Sequence, residues 1–167
     1  MGAAPKSTSN IFFDKALLNT FVDSVIKTLG DMAQTKVTPG KPTIEDKAST
    51  MKGEIAGIIG MVAGEAKGTL IICFTSKSAF KIIENMLGEV HTNLSPDVTD
   101  AVGELTNMIY GSAKTTLNKM GYMFEMAIPT VVTGDFQVSG NHTGVKLSIP
   151  FTIQPDITMF VEIIVQQ

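Results

Sequence analysis

The stretch Ser95-Pro96-Asp97-Val98-Thr99-Asp100-Ala101-Val102-Gly103-Glu104-Leu105-Thr106-Asn107 opens a segment that runs on without another proline to Gly121. Ser95 can cap a helix, Pro96 suits the first helical position, and Asp97 suits the positive end of the helix dipole. Gly121 stops the helix at about Met120. At about 100° per residue, with Asp100 at zero, Val98, Val102, Leu105, Ile109 and Met120 gather near about 180°. Asp100, Glu104, Asn107 and Gly111 fall within about 40° of zero, directly opposite. A helix divided in this way lays its apolar stripe on a second layer and leaves its polar face to solvent.

Outward from this helix, the flanking sequence supplies that layer. From Asp14 to about Gln34, the residues Leu18, Phe21, Val22, Val25, Ile26, Leu29 and Met32 recur at three- and four-residue steps, which predicts a first long amphipathic helix. Lys36 to Asp46 holds Pro39-Gly40 and Pro42 and admits at most an edge strand. Gly53 to Ala63 and Gly68 to Phe74 read as an antiparallel pair about the turn Gly64-Glu65-Ala66-Lys67. Ser76 is the expected cap of a short helix to Leu87, with Ala79, Phe80, Ile83 and Leu87 on one face and Gly88 as its stop. Three strands complete the chain: Tyr122 to Thr133, Thr143 to Gln154 and Ile157 to Val165. The order helix, strands, helix, helix, strands predicts an α+β fold, an antiparallel sheet packed against two long helices plus a short one. Residues 1–10 are small and polar and read as a disordered arm or a cloning remnant. Residues 11–167 read as a single domain, since no long linker divides them.

Composition removes several function classes. The 167 residues hold one Cys and two His, and Cys73, His91 and His142 lack any metal-ligand spacing. Cys73, inside Leu70-Ile71-Ile72-Cys73-Phe74, reads as a small buried hydrophobe. Neither His belongs to a recognisable triad with a Ser or Thr nucleophile, and both are expected in loops. Gly57, Gly60, Gly64 and Gly68 precede no Gly-Lys-Ser/Thr and form no phosphate loop. With a net charge of −3 and its thirteen basic residues scattered singly, the chain offers no nucleic-acid surface. A secretory signal and an apolar run of about 18 residues are both missing, so the chain is expected in the cytoplasm, away from membranes. Charged residues make up 17%, below the roughly 25% usual for soluble domains, which hints at surface closed by a partner.

The polar face of the second long helix stands out against this background. Asn is a weak mid-helix residue because its amide competes for backbone hydrogen bonds. Gly111 on the same face costs about 1 kcal/mol relative to Ala and leaves room for a close approach. Glu-x-x-Asn occurs only at Glu104 and Asn107. Asp100, Glu104 and Asn107, followed by Pro129, resemble the signature of the CheC/CheX/FliY chemotaxis phosphatases: an acidic or Ser residue, then Glu, then Asn at this spacing, then a later Pro. Gly68 to Phe74, leading to Ala79 and to Met86-Leu87-Gly88-Glu89, is similar to the family's Gly-rich strand and following helix. The resemblance spans about residues 12–166. CheC- and FliY-type proteins carry two copies of the signature, whereas here Asn19 of the first helix follows Ala16, not Glu, which is the CheX-type arrangement.

The resemblance implies an activity: hydrolysis of the phosphoaspartate of a phosphorylated CheY-like response regulator. It implies that the regulator brings its own Mg²⁺ and active-site Lys and that this chain needs no cofactor. Asn107 is then the residue that positions the attacking water, and Glu104 docks to the regulator's Lys. Asp100, Gly111 and Pro129 take supporting or docking places. A homodimer joined through the sheet is also implied. The competing reading is a module of the same fold that binds a response regulator without hydrolysis.

Overall fold

The computed structural model describes residues 11–45, 52–134 and 145–166. The expected arm over residues 1–10, and His142 with its expected loop, lie outside the described residues. Helix α1 (Lys15–Ala33) follows a short 3-10 turn, Ile11–Phe13, and ends where Gln34 turns left-handed at φ +47°. Helix α2 (Ser76–Leu87) and helix α3 (Pro96–Lys119) follow one another in the middle of the chain. The strands are β1 (Thr38–Pro39), β2 (Thr43–Glu45), β3 (Ile55–Ala63), β4 (Ala66–Phe74), β5 (Thr130–Thr133), β6 (Lys146–Gln154) and β7 (Ile157–Val165). They form one antiparallel sheet in the order β1-β6-β7-β4-β3-β5, with β2 also on β6. The architecture is α+β, as the patterning predicts, and the proline-rich segment supplies only short edge strands.

The three helices share one face of the sheet. Phe21, Val25 and Leu29 of α1 and Val98, Val102, Leu105 and Ile109 of α3 are buried with Ile59, Leu70, Ile72, Val161 and Ile163 of the strands. Those strand residues alternate along each chain, as a half-buried pleated surface requires. The opposite face of the sheet is buried only in part. Ala56, Ile71, Cys73 and Ile164 cluster there, beside an ionic network at one end. Lys146, 1% exposed, places its Nζ 3.0 Å from Glu162 and 3.2 Å from Glu45. Lys52 reaches Glu45 at 2.7 Å and donates to Ser148 Oγ at 3.0 Å. Cys73 is fully buried, and burial, reinforced by nearby Glu162, pushes its thiol up to about 12, which leaves it unsuited to nucleophilic work.

Several local expectations are corrected. The β3–β4 turn is only Gly64-Glu65, with Ala63 paired to Ala66 and Gly64 at φ +63°, so Ala66 and Lys67 belong to β4. A two-residue hairpin needs positive φ at its first central position, which Gly supplies. The N-cap of α2 is Thr75, not Ser76: the Thr75 hydroxyl accepts from the Ser78 N–H at 3.1 Å. The buried side of α2 is Ser78, Ala79, Ile82 and Ile83, while Phe80 is half-buried and Leu87 is 53% exposed. Leu87 sits in the last turn, immediately before the Gly88 stop. Met120, placed on the buried stripe of α3, is 48% exposed because the helix ends at Lys119 and the wheel no longer applies beyond it.

The largest correction concerns Tyr122 to Thr133. Only Thr130–Thr133 is a strand; before it, a single bridge joins Phe124 to Ala63. Tyr122 and Phe124 do alternate inward as a strand would, but they are held by α3. Asn118 donates from Nδ2 to the Phe124 carbonyl at 3.0 Å and accepts the Phe124 N–H at 2.8 Å, which takes up the backbone groups a ladder would need. Pro129 then has no N–H to offer.

Candidate functional site

The exposed face of α3 is fixed from below. Thr106, fully buried, donates to the Val102 carbonyl at 2.7 Å and lies against Gly57 of β3. A Cβ on Gly57 would overlap the Thr106 side chain, so glycine is what lets the helix settle on the strand. One turn away, a Cβ on Gly103 would stand 3.1 Å from Val131 Cγ2 of β5, so a second glycine brings α3 close to the sheet edge. The residues flanking Thr106 point the other way. Asp100, Glu104 and Asn107 are exposed, and Gly111 is half-buried. Among the described residues, these three side chains make neither a hydrogen bond nor an ion pair.

The segment after α3 returns along the helix. The Tyr110 hydroxyl donates to the Glu125 carbonyl at 2.6 Å, and the Glu125 N–H donates to the Val62 carbonyl at 2.9 Å. Burial, with Glu125 adding to it, pushes the Tyr110 phenol up to about 12, so it keeps the proton it donates. Tyr122 donates to Asp14 at 2.9 Å, which ties the start of the same segment to α1. Asn107, Tyr110, Gly111, Lys114, Met126 and Ala127 enclose a recess of about 190 Å³. Pro129 is half-buried immediately before β5.

The structure therefore brings Asp100, Glu104, Asn107 and Gly111 together on one exposed face, with Pro129 in the segment that follows. A carboxylate and a carboxamide one turn apart on a supported helix can orient water, accept from a cation and donate to an anion. No group of three or more metal-ligating side chains occurs among the described residues. His91 lies in a loop beside Glu89, 3.6 Å away. On α1, Asn19 and Ala16 are both exposed, so that helix presents an amide without the carboxylate. The supports Gly57, Thr106, Tyr110 and Asn118 were not singled out from the sequence, because each acts through a partner remote along the chain or on another element.

Residues 55–154 match the family model of the chemotaxis phosphatase CheX. The chain belongs to the CheX family. A CheX described as a CheY-P phosphatase, from Thermotoga maritima, is 29% identical over 142 residues, 84% of this chain and 89% of that protein. A CheC-like superfamily protein from Shewanella sp. PV-4 superposes with a TM-score of 0.83 at 37% identity, covering 93% of this chain and all of the other. The fold also matches a chain of the CheX-CheY-BeF3-Mg²⁺ complex of Borrelia burgdorferi, with a TM-score of 0.72 at 22% identity over 90% of this chain and 98% of that one. Helix α3, with Glu104 and Asn107, lies wholly inside the CheX-matched region.

Proposed function

We propose that this protein hydrolyses the phosphoaspartate of a CheY-type response regulator and so ends a chemotaxis or two-component signal. The observation that carries the reading is the pairing of Glu104 and Asn107, exposed and free of internal partners on a helix anchored beneath them. The Borrelia relative assembles with CheY, BeF3 and Mg²⁺, and the Thermotoga relative acts on phosphorylated CheY. By that analogy the regulator brings Mg²⁺ and its own Lys, which stabilise the transferring phosphoryl group.

The Asn107 carboxamide oxygen accepts from a water and its NH2 donates to a phosphoryl oxygen, so the water is held in line with phosphorus. Water oxygen bonds to phosphorus as the bond to the regulator's Asp oxygen breaks; the products are the Asp carboxylate and inorganic phosphate, with the water protons passing to phosphate and solvent. Glu104 accepts from the regulator's Lys and sets the register of α3 in the cleft. Asp100 supports docking, Gly111 allows close approach, and Pro129 shapes the turn into β5. Residues 11–167 act as one domain. Two copies pair through their sheets and work in the cytoplasm.

Phosphate release from a panel of phosphorylated response regulators tests the activity. Acceleration for at least one CheY-type regulator is expected; binding without any acceleration would leave a docking module in its place.

A further inference from the structure

Beside the polar pair runs a short apolar strap. Met126 is 88% exposed and Ile128 is 90% exposed. Single exposed apolar residues are ordinary on a protein surface. These two differ because the backbone between them is held at both ends. Before the strap, Phe124 is bonded to Asn118, and Glu125 to Tyr110 and Val62. After it, Thr130 pairs with Ile58 and Val131 with Gly57. Pro129 fixes φ within the span.

The anchors also give its course. Met126 and Ala127 border the recess with Asn107 and Gly111, while Val131 lies against Gly103. The strap therefore follows the side of α3 that carries Gly103, Asn107 and Gly111. The recess, about 190 Å³, is smaller than the roughly 300–1,000 Å³ of a small-molecule site but accommodates a side chain. Gly111 opens onto it: a Cβ there would meet nothing within 4 Å, so internal packing does not require glycine at that position. Lys114 lies at the end of the recess away from the carboxylates Asp100 and Glu104 along α3, which gives the face opposite charges at its two ends.

We infer that Met126, Ile128 and the recess at Gly111 form an apolar ledge that receives the response regulator, one regulator side chain next to its phosphorylation site entering the recess. This rests on the reading of Glu104 and Asn107 given above. The occupant follows from continuity: Asn107 is itself part of the recess wall, so a protein that brings phosphoaspartate to Asn107 brings the residues beside that phosphate to Gly111 and Met126. The ledge sets affinity and partner choice, while the polar pair handles the reacting groups.

The test uses the full chain, a CheY-type regulator held with beryllofluoride and Mg²⁺ for binding, and the same regulator phosphorylated for turnover. Met126→Ser/Ile128→Ser should raise the dissociation constant and KM more than about tenfold, with kcat at saturating regulator changed less than about threefold. Gly111→Leu should raise them similarly while its thermal midpoint stays level or rises, since a Cβ there meets nothing within 4 Å and glycine is a weak helix former. Dissociation constants within twofold of the parent for both variants would overturn the ledge. Asn107→Ala, run alongside, separates the two claims. If it binds as the parent does and loses turnover, the site reading stands whatever the ledge variants show. If it keeps full turnover, the site reading fails and the ledge is judged on binding alone.

Discussion

Glu104 and Asn107 stand one turn apart on a helix face that the fold leaves open, and the roles proposed for them separate by chemistry. A carboxylate that docks to a Lys contributes mainly to association, and reversing its charge places like charges together. Glu104→Lys is expected to raise the dissociation constant for beryllofluoride-loaded regulator at least about tenfold; titration by fluorescence or calorimetry checks it, and an unchanged constant would contradict the docking role. The same face was legible in the sequence because a polar amide and a glycine opposite an apolar stripe need a reason other than packing. Gly57 was not, since a strand glycine reads identically whether or not a helix rests on it. Its role is testable: Gly57→Ala places a Cβ in Thr106 and should cost about 1–3 kcal/mol. Gly60→Ala, where a Cβ meets nothing within 4 Å, should leave the urea midpoint level or higher.

Helix α3 and the segment behind it work as one element. The helix was readable from Ser95-Pro96 at its start, its period and its stop, although the Ser95 side chain makes no capping bond, and α1 was readable from its period alone; these signals are local. The segment Tyr122 to Pro129 was misread as strand because its inward alternation is real while its hydrogen-bond partners, Asn118 and Tyr110, belong to the helix. A tyrosine raised from 10 to about 12 by burial keeps its proton in the folded chain at pH values where the unfolded chain has lost it. Its contribution is therefore intact below about pH 10 and is lost as pH rises toward about 12. The unfolding free energy should fall across that window, and Tyr110→Phe should reduce the slope there; an identical slope in the variant would contradict the assignment. Cys73, raised from 9.0 to about 12, adds a fall of the same sign that begins near pH 9.

Across the whole molecule, the sheet separates two kinds of interior. The helix side is apolar apart from a few buried hydroxyl groups such as Thr106 and Ser78, and it was legible from the apolar stripes of α1 and α3. The other side joins Lys146 of β6 to Glu162 of the next strand and to Glu45 of β2, about a hundred residues earlier, a contact that no local pattern reveals. Removing the cation leaves the buried Glu162 without its counter-charge while Glu45 keeps Lys52, so Lys146→Met should cost roughly 3–5 kcal/mol, and Lys146→Met/Glu162→Leu should recover most of it. Equal urea midpoints for parent and Lys146→Met would show that the network contributes nothing. Pairing of two copies is a separate matter of mass in solution: scattering should give about twice 17.8 kDa, and a value near 17.8 kDa would exclude it.

Catalysis as proposed is carried by a chain with one inert thiol and, among the described residues, no triad, which lends a carboxamide to an active site that its substrate largely brings. The most direct measurement is the single-turnover rate of phosphoaspartate loss from a CheY-type regulator mixed with saturating Asn107→Ala, with complex formation followed in the same samples. The expected result is a folded variant that binds as the parent does and hydrolyses at least about 100-fold more slowly. A bound variant that hydrolyses at the parental rate would contradict it.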